Sequence, residues 1–182
     1  MKTKKLFSYL SLVLCLFLFA FNKKEKTSKS ETVLVTSIAS VLEGADFSIL
    51  KAALAKANID LDKLLTGDFT IFAPNNAAFA AAGIKNLNSF TADQLAAILK
   101  YHVVAGATVT SDQITAIAIE AATFLGSDKK LFAVKTADGV FVKDLAGKQV
   151  KVIAADVKAQ KGVIHVINNV LISEKAQKQT KK

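Results

Sequence analysis

The sequence predicts an α+β fold, and three observations carry that prediction. Apolar residues recur at helical spacing through the first half of the chain, and β-branched and aromatic runs replace them in the second half. Between two of those runs stands Asp138-Gly139, a short-range hairpin signal. Helices first and strands afterwards, with no internal repeat, describe one sheet system with helices packed on one side or end.

Taken in order, the chain begins with a basic start and an apolar run from Leu6 to Phe21, followed by lysines again. That layout predicts a signal peptide or N-terminal anchor over residues 1–21, and export to the periplasm, the cell surface or the medium. The run is short for a relaxed membrane span, so contact with a membrane is expected only through this segment if it stays uncleaved. Leu18–Phe21 resembles a bacterial lipoprotein box, except that Phe21 stands where the lipid-bearing cysteine would be. Cys15 is the only cysteine, so cleavage after Ala20 would leave a mature chain without disulfides, thiolate metal sites or cysteine nucleophiles. Residues 22–31, lysine-rich and with nothing to bury, read as a flexible linker.

The folded body is expected over residues 32–173, with a lysine-rich tail at 174–182. Phe47, Leu50, Leu54 and Ala57 form one stripe of an amphipathic helix, which Asp46 is placed to cap. Phe69–Ala73 is expected to be a strand ended by Pro74, the only proline of the chain, because proline removes a ladder donor and holds the residue before it extended. Asn75 or Asn76 then caps a short helix that buries Phe79 and is released at Gly83. Thr91 and Gln94 have the spacing of a capping box, so Thr91–Lys100 reads as a helix delivering Tyr101–Val104 as a strand. Asp138-Gly139 predicts a type I′ hairpin. The remaining strands lie within Lys148–Ala159 and Gly162–Ile172, with Gly147 and Gly162 marking turns.

The formal net charge of +9 suggests nucleic acid until it is divided along the chain. Residues 32–173 hold thirteen lysines against twelve acids, so the excess sits in the two ends. Every basic residue is lysine, and the bidentate forks suited to phosphate and guanine are absent. No nucleic-acid partner is expected.

Catalytic signatures are missing as well: there is no G-x-S-x-G, no G-x-G-x-x-G, no Walker loop and no H-E-x-x-H. His102 and His165, the only histidines, sit among valines and isoleucines on expected strands. They could bind a metal if the fold joined them to a carboxylate; the simpler reading is that each ring satisfies nearby backbone groups. Asn58, Asp60 and Asp62 alternate like the opening of a calcium loop, but the loop glycine and terminal glutamate are not in place. Asp60 is therefore assigned to a turn or helix cap and Asp62 to a solvated face. No metal and no cofactor is expected.

Three stretches together carry a resemblance. Phe69–Phe79 (FTIFAPNNAAF) resembles the first box of the fasciclin-type (FAS1) domain, Tyr101–Val104 (YHVV) its central Tyr-His motif, and Gly162–Leu171 (GVIHVINNVL) its closing box, in the family's order. The first box commonly has threonine where Asn75 stands, and the last commonly has aspartate where Asn168 stands. The resemblance implies a β-sandwich-like sheet core with helices along one edge, and structural roles for Phe72, Pro74, Asn76, Phe79, Gly162, His165 and Asn168. It also implies a non-enzymatic adhesion or binding module that recognises a protein or polysaccharide of the cell surface or matrix, with Tyr101 and His102 as candidate binding residues. Two alternatives remain. A hydrolase of envelope polymers needs converging carboxylates, and an apolar small-ligand carrier needs a large enclosed pocket.

Overall fold

The computed structural model describes residues 37–172. The expected leader or anchor, the linker and the lysine-rich tail lie outside the described residues. The helices come first: α1 (Ile38–Val41), a 3-10 turn at Ala45–Phe47, α2 (Ser48–Lys56) and α3 (Leu61–Leu64). Strand β1 (Phe69–Pro74) then leads into α4 (Asn76–Ala81), a second 3-10 turn at Leu87–Ser89, and α5 (Ala92–Tyr101). Six strands follow: β2 (Val103–Ala105), β3 (Ile119–Thr123), β4 (Gly126–Thr136), β5 (Gly139–Lys143), β6 (Gln149–Ala159) and β7 (Gly162–Ile167). Among the described residues no helix is long and apolar enough to cross a membrane.

The α+β class holds, but the sheet is a closed seven-stranded barrel rather than a sandwich. Neighbouring strands run antiparallel around the barrel in chain order, and closure comes from the first and last, β1 and β7, which pair in parallel from Phe69 opposite Gly162 to Pro74 opposite Ile167. A sandwich would leave these two strands as edges; their pairing satisfies both.

Closure gives β1 two buried faces, which is why all six of its residues are buried. Phe69, Ile71 and Ala73 meet the helices, in one core with Leu50, Phe79 and Ile98. Phe72 faces the barrel interior, in a second core with Tyr101, Leu131, Val142, Val150 and Leu171. The helical core draws on β1, β2, β6 and β7 and, among the described residues, on no residue of β3, β4 or β5.

Several local expectations change in detail. The helix of the Phe47 stripe starts at Ser48, after a 3-10 turn, and Asp46 does not cap it. The capping box is present, with Thr91 Oγ1 accepting from Gln94 N at 3.2 Å and Gln94 Oε1 accepting from Thr91 N at 2.8 Å. The helix it starts runs one turn-residue further than expected, through Tyr101, so His102 is its C-cap and the strand begins only at Val103. The β4–β5 hairpin forms, but its two loop residues are Ala137 and Asp138, between the paired Thr136 and Gly139. A type I′ loop requires positive φ at both loop residues, whereas here only Gly139, at +125°, has it.

Gly162 does not make a turn either; it opens β7, and Gln160 supplies the positive φ, 44°, between β6 and β7. Its lack of a side chain serves a close approach, since a Cβ there would lie 2.3 Å from the Phe69 carbonyl oxygen and 2.5 Å from the Phe69 ring. Gly162→Ala is expected to push the parallel seam apart and to cost about 1–3 kcal/mol, read as a lower midpoint in urea unfolding with an unchanged slope.

Candidate functional site

The recognised motifs converge on the β1–β7 seam and the barrel end beside it. Phe72 and His165 are opposite in the parallel register, and their rings stack with centroids 5.5 Å apart and planes inclined by 24°. His165 Nδ1 accepts from Asp156 N at 3.2 Å, which leaves Nε2 to donate to the Val109 carbonyl at 2.8 Å. The same mouth of the barrel is braced by Thr70, whose hydroxyl donates to Ala107 O at 2.9 Å and accepts from Val109 N at 2.8 Å. Ser111 completes the brace, with its backbone N–H at 2.8 Å and its hydroxyl both donating to the Asp156 carboxylate. Thr70, Ser111 and Asp156 carried no signal in the sequence, because their side chains bond partners 37 or more positions away.

Tyr101 and His102 lie beside the seam, the His102 carbonyl accepting from Phe72 N at 2.9 Å. Tyr101 is wholly buried and His102 is 2% exposed. The Tyr101 hydroxyl donates to Lys130 O at 3.1 Å and accepts from Leu145 N at 3.2 Å. His102 Nδ1 donates to Ile98 O at 2.7 Å and Nε2 accepts from Leu171 N at 2.9 Å, so the ring is neutral and one tautomer satisfies both partners. Burial, helped by the nearby Lys148 charge and opposed by the bond to Ile98, holds its pKa down at about 4. These two side chains, expected on a strand as candidate contacts for a partner, tie the end of α5 to the β5–β6 turn and to the segment after β7.

That segment is held from two further points. Asn168 exchanges bonds with Lys151, its backbone N–H donating to Lys151 O and its side-chain oxygen accepting from Lys151 N, each at 3.1 Å. Lys148 Nζ donates to Asn169 Oδ1 at 2.7 Å and to Val170 O at 3.3 Å. Asp144, 1% exposed, accepts from Lys148 N at 2.8 Å, and burial pushes its carboxyl up.

On the helical side the two asparagines after Pro74 divide their work. Asn75 Oδ1 accepts from Ala78 N at 2.8 Å and caps α4. Asn76 reaches across to α2: its Oδ1 accepts from Ile49 N at 3.0 Å, and its amide donates to Ala45 O at 2.9 Å and Ser48 Oγ at 3.0 Å. The cap that Asp46 was expected to provide thus comes from a residue 27 positions away. Phe79 is buried in the helical core, and Gly83, at a φ of +75°, follows α4. Asn76→Ala should lower the melting temperature by an amount equivalent to about 1–2 kcal/mol, because three bonds anchoring α2 are lost at once. Asn75→Ala, which removes a local cap only, should cost less.

Asp60 caps α3 through Lys63 N at 3.3 Å, as expected. Asp62 is not on a solvated face. It accepts from Ile38 N at 2.9 Å and from Ala39 N at 3.4 Å, and so stands at the start of α1. Among the described residues no group of three or more histidine, cysteine or acidic side chains could hold a metal ion. The spaces beside Phe72 measure only about 10 and 20 Å³. An open groove of about 470 Å³ lies between α1, α2 and α3 and is lined by Ile38, Leu42, Leu54 and Ile59 together with the charged Glu43, Lys51, Asp60 and Asp62, and by no phenylalanine.

The outer face of β3 to β5, continued by the Gln149–Lys151 end of β6, is the part of the barrel that the helical core leaves alone. Leu131, Val142 and Val150 point inward, so the strand alternation puts Phe132, Val134, Phe141, Lys143 and Lys151 outside.

The comparisons with known proteins fit this architecture. The Fasciclin domain model matches residues 45–173. Protein sll1483 of Synechocystis sp. is 36% identical over 159 residues, covering 82% of this chain and 81% of that protein. Transforming growth factor-beta-induced protein ig-h3 of Sus scrofa is 33% identical over 138 residues, covering 74% of this chain and 19% of that protein. Among solved structures, a FAS1 domain pair from the insect cell adhesion molecule fasciclin I matches with a TM-score of 0.50 and 25% identity, over 66% of this chain and 40% of that one. The seam that joins FTIFAPNNAAF to GVIHVINNVL, the Tyr-His pair beneath it and the match over residues 45–173 lead to one assignment: the chain belongs to the Fasciclin domain family.

Proposed function

We infer that the protein is a non-enzymatic adhesion or binding module that works outside the cytoplasm and recognises a protein or polysaccharide of the cell surface or matrix. The observation that carries this reading is family membership across the folded body, in a family that includes a domain pair of an insect cell adhesion molecule. The interior supports it, because the motif residues spend their polar groups on the barrel's own backbone. A hydrolase would need two carboxylates facing one cleft. Glu43, Asp60 and Asp62 line the open groove between α1, α2 and α3, but Asp62 is spent on the backbone at the start of α1 and Asp60 on Lys63; elsewhere Glu120 pairs with Lys130 and Asp156 holds Ser111. A carrier would need an enclosed apolar cavity of several hundred Å³, and the cavities beside Phe72 are far smaller.

The N-terminal segment supports export, as a cleaved signal peptide or a retained anchor, and mass spectrometry of the native N-terminus distinguishes the two. The functional test is capture: the immobilised full chain is challenged with solubilised envelope and matrix material and with a glycan array. Saturable retention of a defined protein or glycan is the expected result. Turnover of an envelope polymer by the purified chain would overturn the reading.

A further inference from the structure

The bare sheet face repeats one motif. In the register of the barrel, Glu120, Phe132, Lys143 and Gln149 stand side by side across β3, β4, β5 and β6. One step along, Val134, Phe141 and Lys151 form a second row across β4, β5 and β6. Each row therefore carries a phenylalanine with a lysine on the next strand, and the rows are about 7 Å apart, two residues of strand rise. Phe132, Val134 and Phe141 are half-buried, and Lys143 and Lys151 are exposed. Lys151 extends over the Phe141 ring, with Nζ 5.9 Å from its centroid. The acid within the two rows, Glu120, is paired with Lys130, and Asp128, further along β4, is paired with Lys129, which leaves the charge of the two rows positive.

We propose that the outer face of β3–β6 is a binding surface for an acidic polysaccharide, with Phe132 and Phe141 as platforms for sugar rings and Lys143 and Lys151 as partners for carboxylate or sulfate groups. This rests on the binding-module reading and names its surface and ligand class. A pyranose ring offers a flat face of C–H bonds that an aromatic ring covers well, while its acidic substituents project from the edge. Those edges meet the lysines one strand away, about 5 Å across the sheet. The positive charge of the two rows favours an anionic partner. The rings are half-buried at mid-strand while the lysines beside them are exposed, which favours a chain lying across the strands over a bilayer, which needs apolar side chains projecting beyond the charges. Aromatics left half-exposed in the middle of a sheet otherwise mark aggregation or contact sites, and the surrounding lysines guard against the first.

The test measures binding of the full chain to polygalacturonate and to dextran sulfate, with methyl-esterified polygalacturonate and phosphatidylglycerol vesicles alongside. The variants are Lys143→Gln with Lys151→Gln, and Phe132→Ser with Phe141→Ser. Circular dichroism and melting curves establish that each is folded, and Phe141→Ala alone serves if the double phenylalanine variant is not. The expected result is saturable binding to at least one acidic polymer, about tenfold weaker in the lysine pair and at least fivefold weaker in the phenylalanine variant, with no binding to the esterified polymer. Binding that ignores the phenylalanines and vanishes with salt would reduce the effect to attraction by the lysine-rich ends and overturn the proposal. So would failure to bind either acidic polymer, or vesicle binding with the same sensitivity to the variants. If these variants capture envelope or matrix material as the parent chain does, the module stands and this face is not its site; loss of all capture by the parent chain removes the module reading itself.

Discussion

Phe72→Ala is expected to lower the unfolding free energy by about 3–5 kcal/mol, the range for deleting a buried aromatic ring without repacking. Phe72 is 3% exposed and contributes to the barrel core with Tyr101, Leu131 and Ile167. Its ring also stacks on His165, whose two nitrogens hold Asp156 and Val109. Truncation therefore opens a cavity and loosens the brace of the barrel mouth together. The barrel is closed by hydrogen bonds and cannot contract around the gap, which places the cost toward the upper end. Urea unfolding at neutral pH measures it. An unchanged midpoint would mean that Phe72 lies outside the closed interior. Phe141→Ala, on the outer face of the same barrel, should cost far less and serves as the matched control.

The second large effect is on pH dependence. His102 has a folded-state pKa of about 4 against 6.5 when unfolded, principally because burial disfavours its charged form. Between those values the unfolded chain binds more protons than the folded one, so stability rises with pH across the window. The contribution is fully present above the unfolded value and is lost as pH falls toward 4, amounting to about 3 kcal/mol at most. Asp144 acts in the opposite sense. Its carboxyl is raised by burial, so the folded state keeps that proton longer and regains some stability on acidification. The observed loss between pH 6.5 and pH 4 should therefore be smaller in the parent chain than in Asp144→Asn, where the offset is absent. His102→Gln should be less stable at pH 7, because the ring's bonds to Ile98 and Leu171 are disturbed, yet nearly level from pH 7 to pH 5. A parent chain equally stable at pH 7 and pH 4.5, with and without Asp144, would contradict the buried neutral ring.

Much of the local structure was legible from short-range chemistry. The capping box of Thr91 and Gln94 needs only residues three apart, and Pro74 followed by Asn75 announces the end of a strand and the start of a helix within three positions. The local conformation of Tyr101 and His102 was less legible. Tyr101 and His102 sit among valines, which reads as a strand, but the helix started at Thr91 runs on and carries both into the interior. The cap of α2 was assigned to Asp46 because that residue is adjacent, whereas the tertiary fold brings Asn76 to the same N–H groups. The two Phe-Lys rows were hidden for a related reason. The phenylalanine and lysine of each row lie on two different strands, and only the register of β4 with β5 and of β5 with β6 brings them side by side.

By itself the sequence determined the family, the α+β class, the strand-to-helix corner at Pro74 and the near-neutral charge of the body. These depend on residue type, local spacing and composition, all of which are written along the chain. The tertiary structure decided that the sheet is a barrel, because the parallel pairing of β1 with β7 joins residues about ninety positions apart, and no local signal specifies such a register. That same pairing decided which residues face inward. It turned Tyr101, His102 and His165 into internal ties, and it left Phe132, Phe141, Lys143 and Lys151 together on the one broad face where the helical core takes no part.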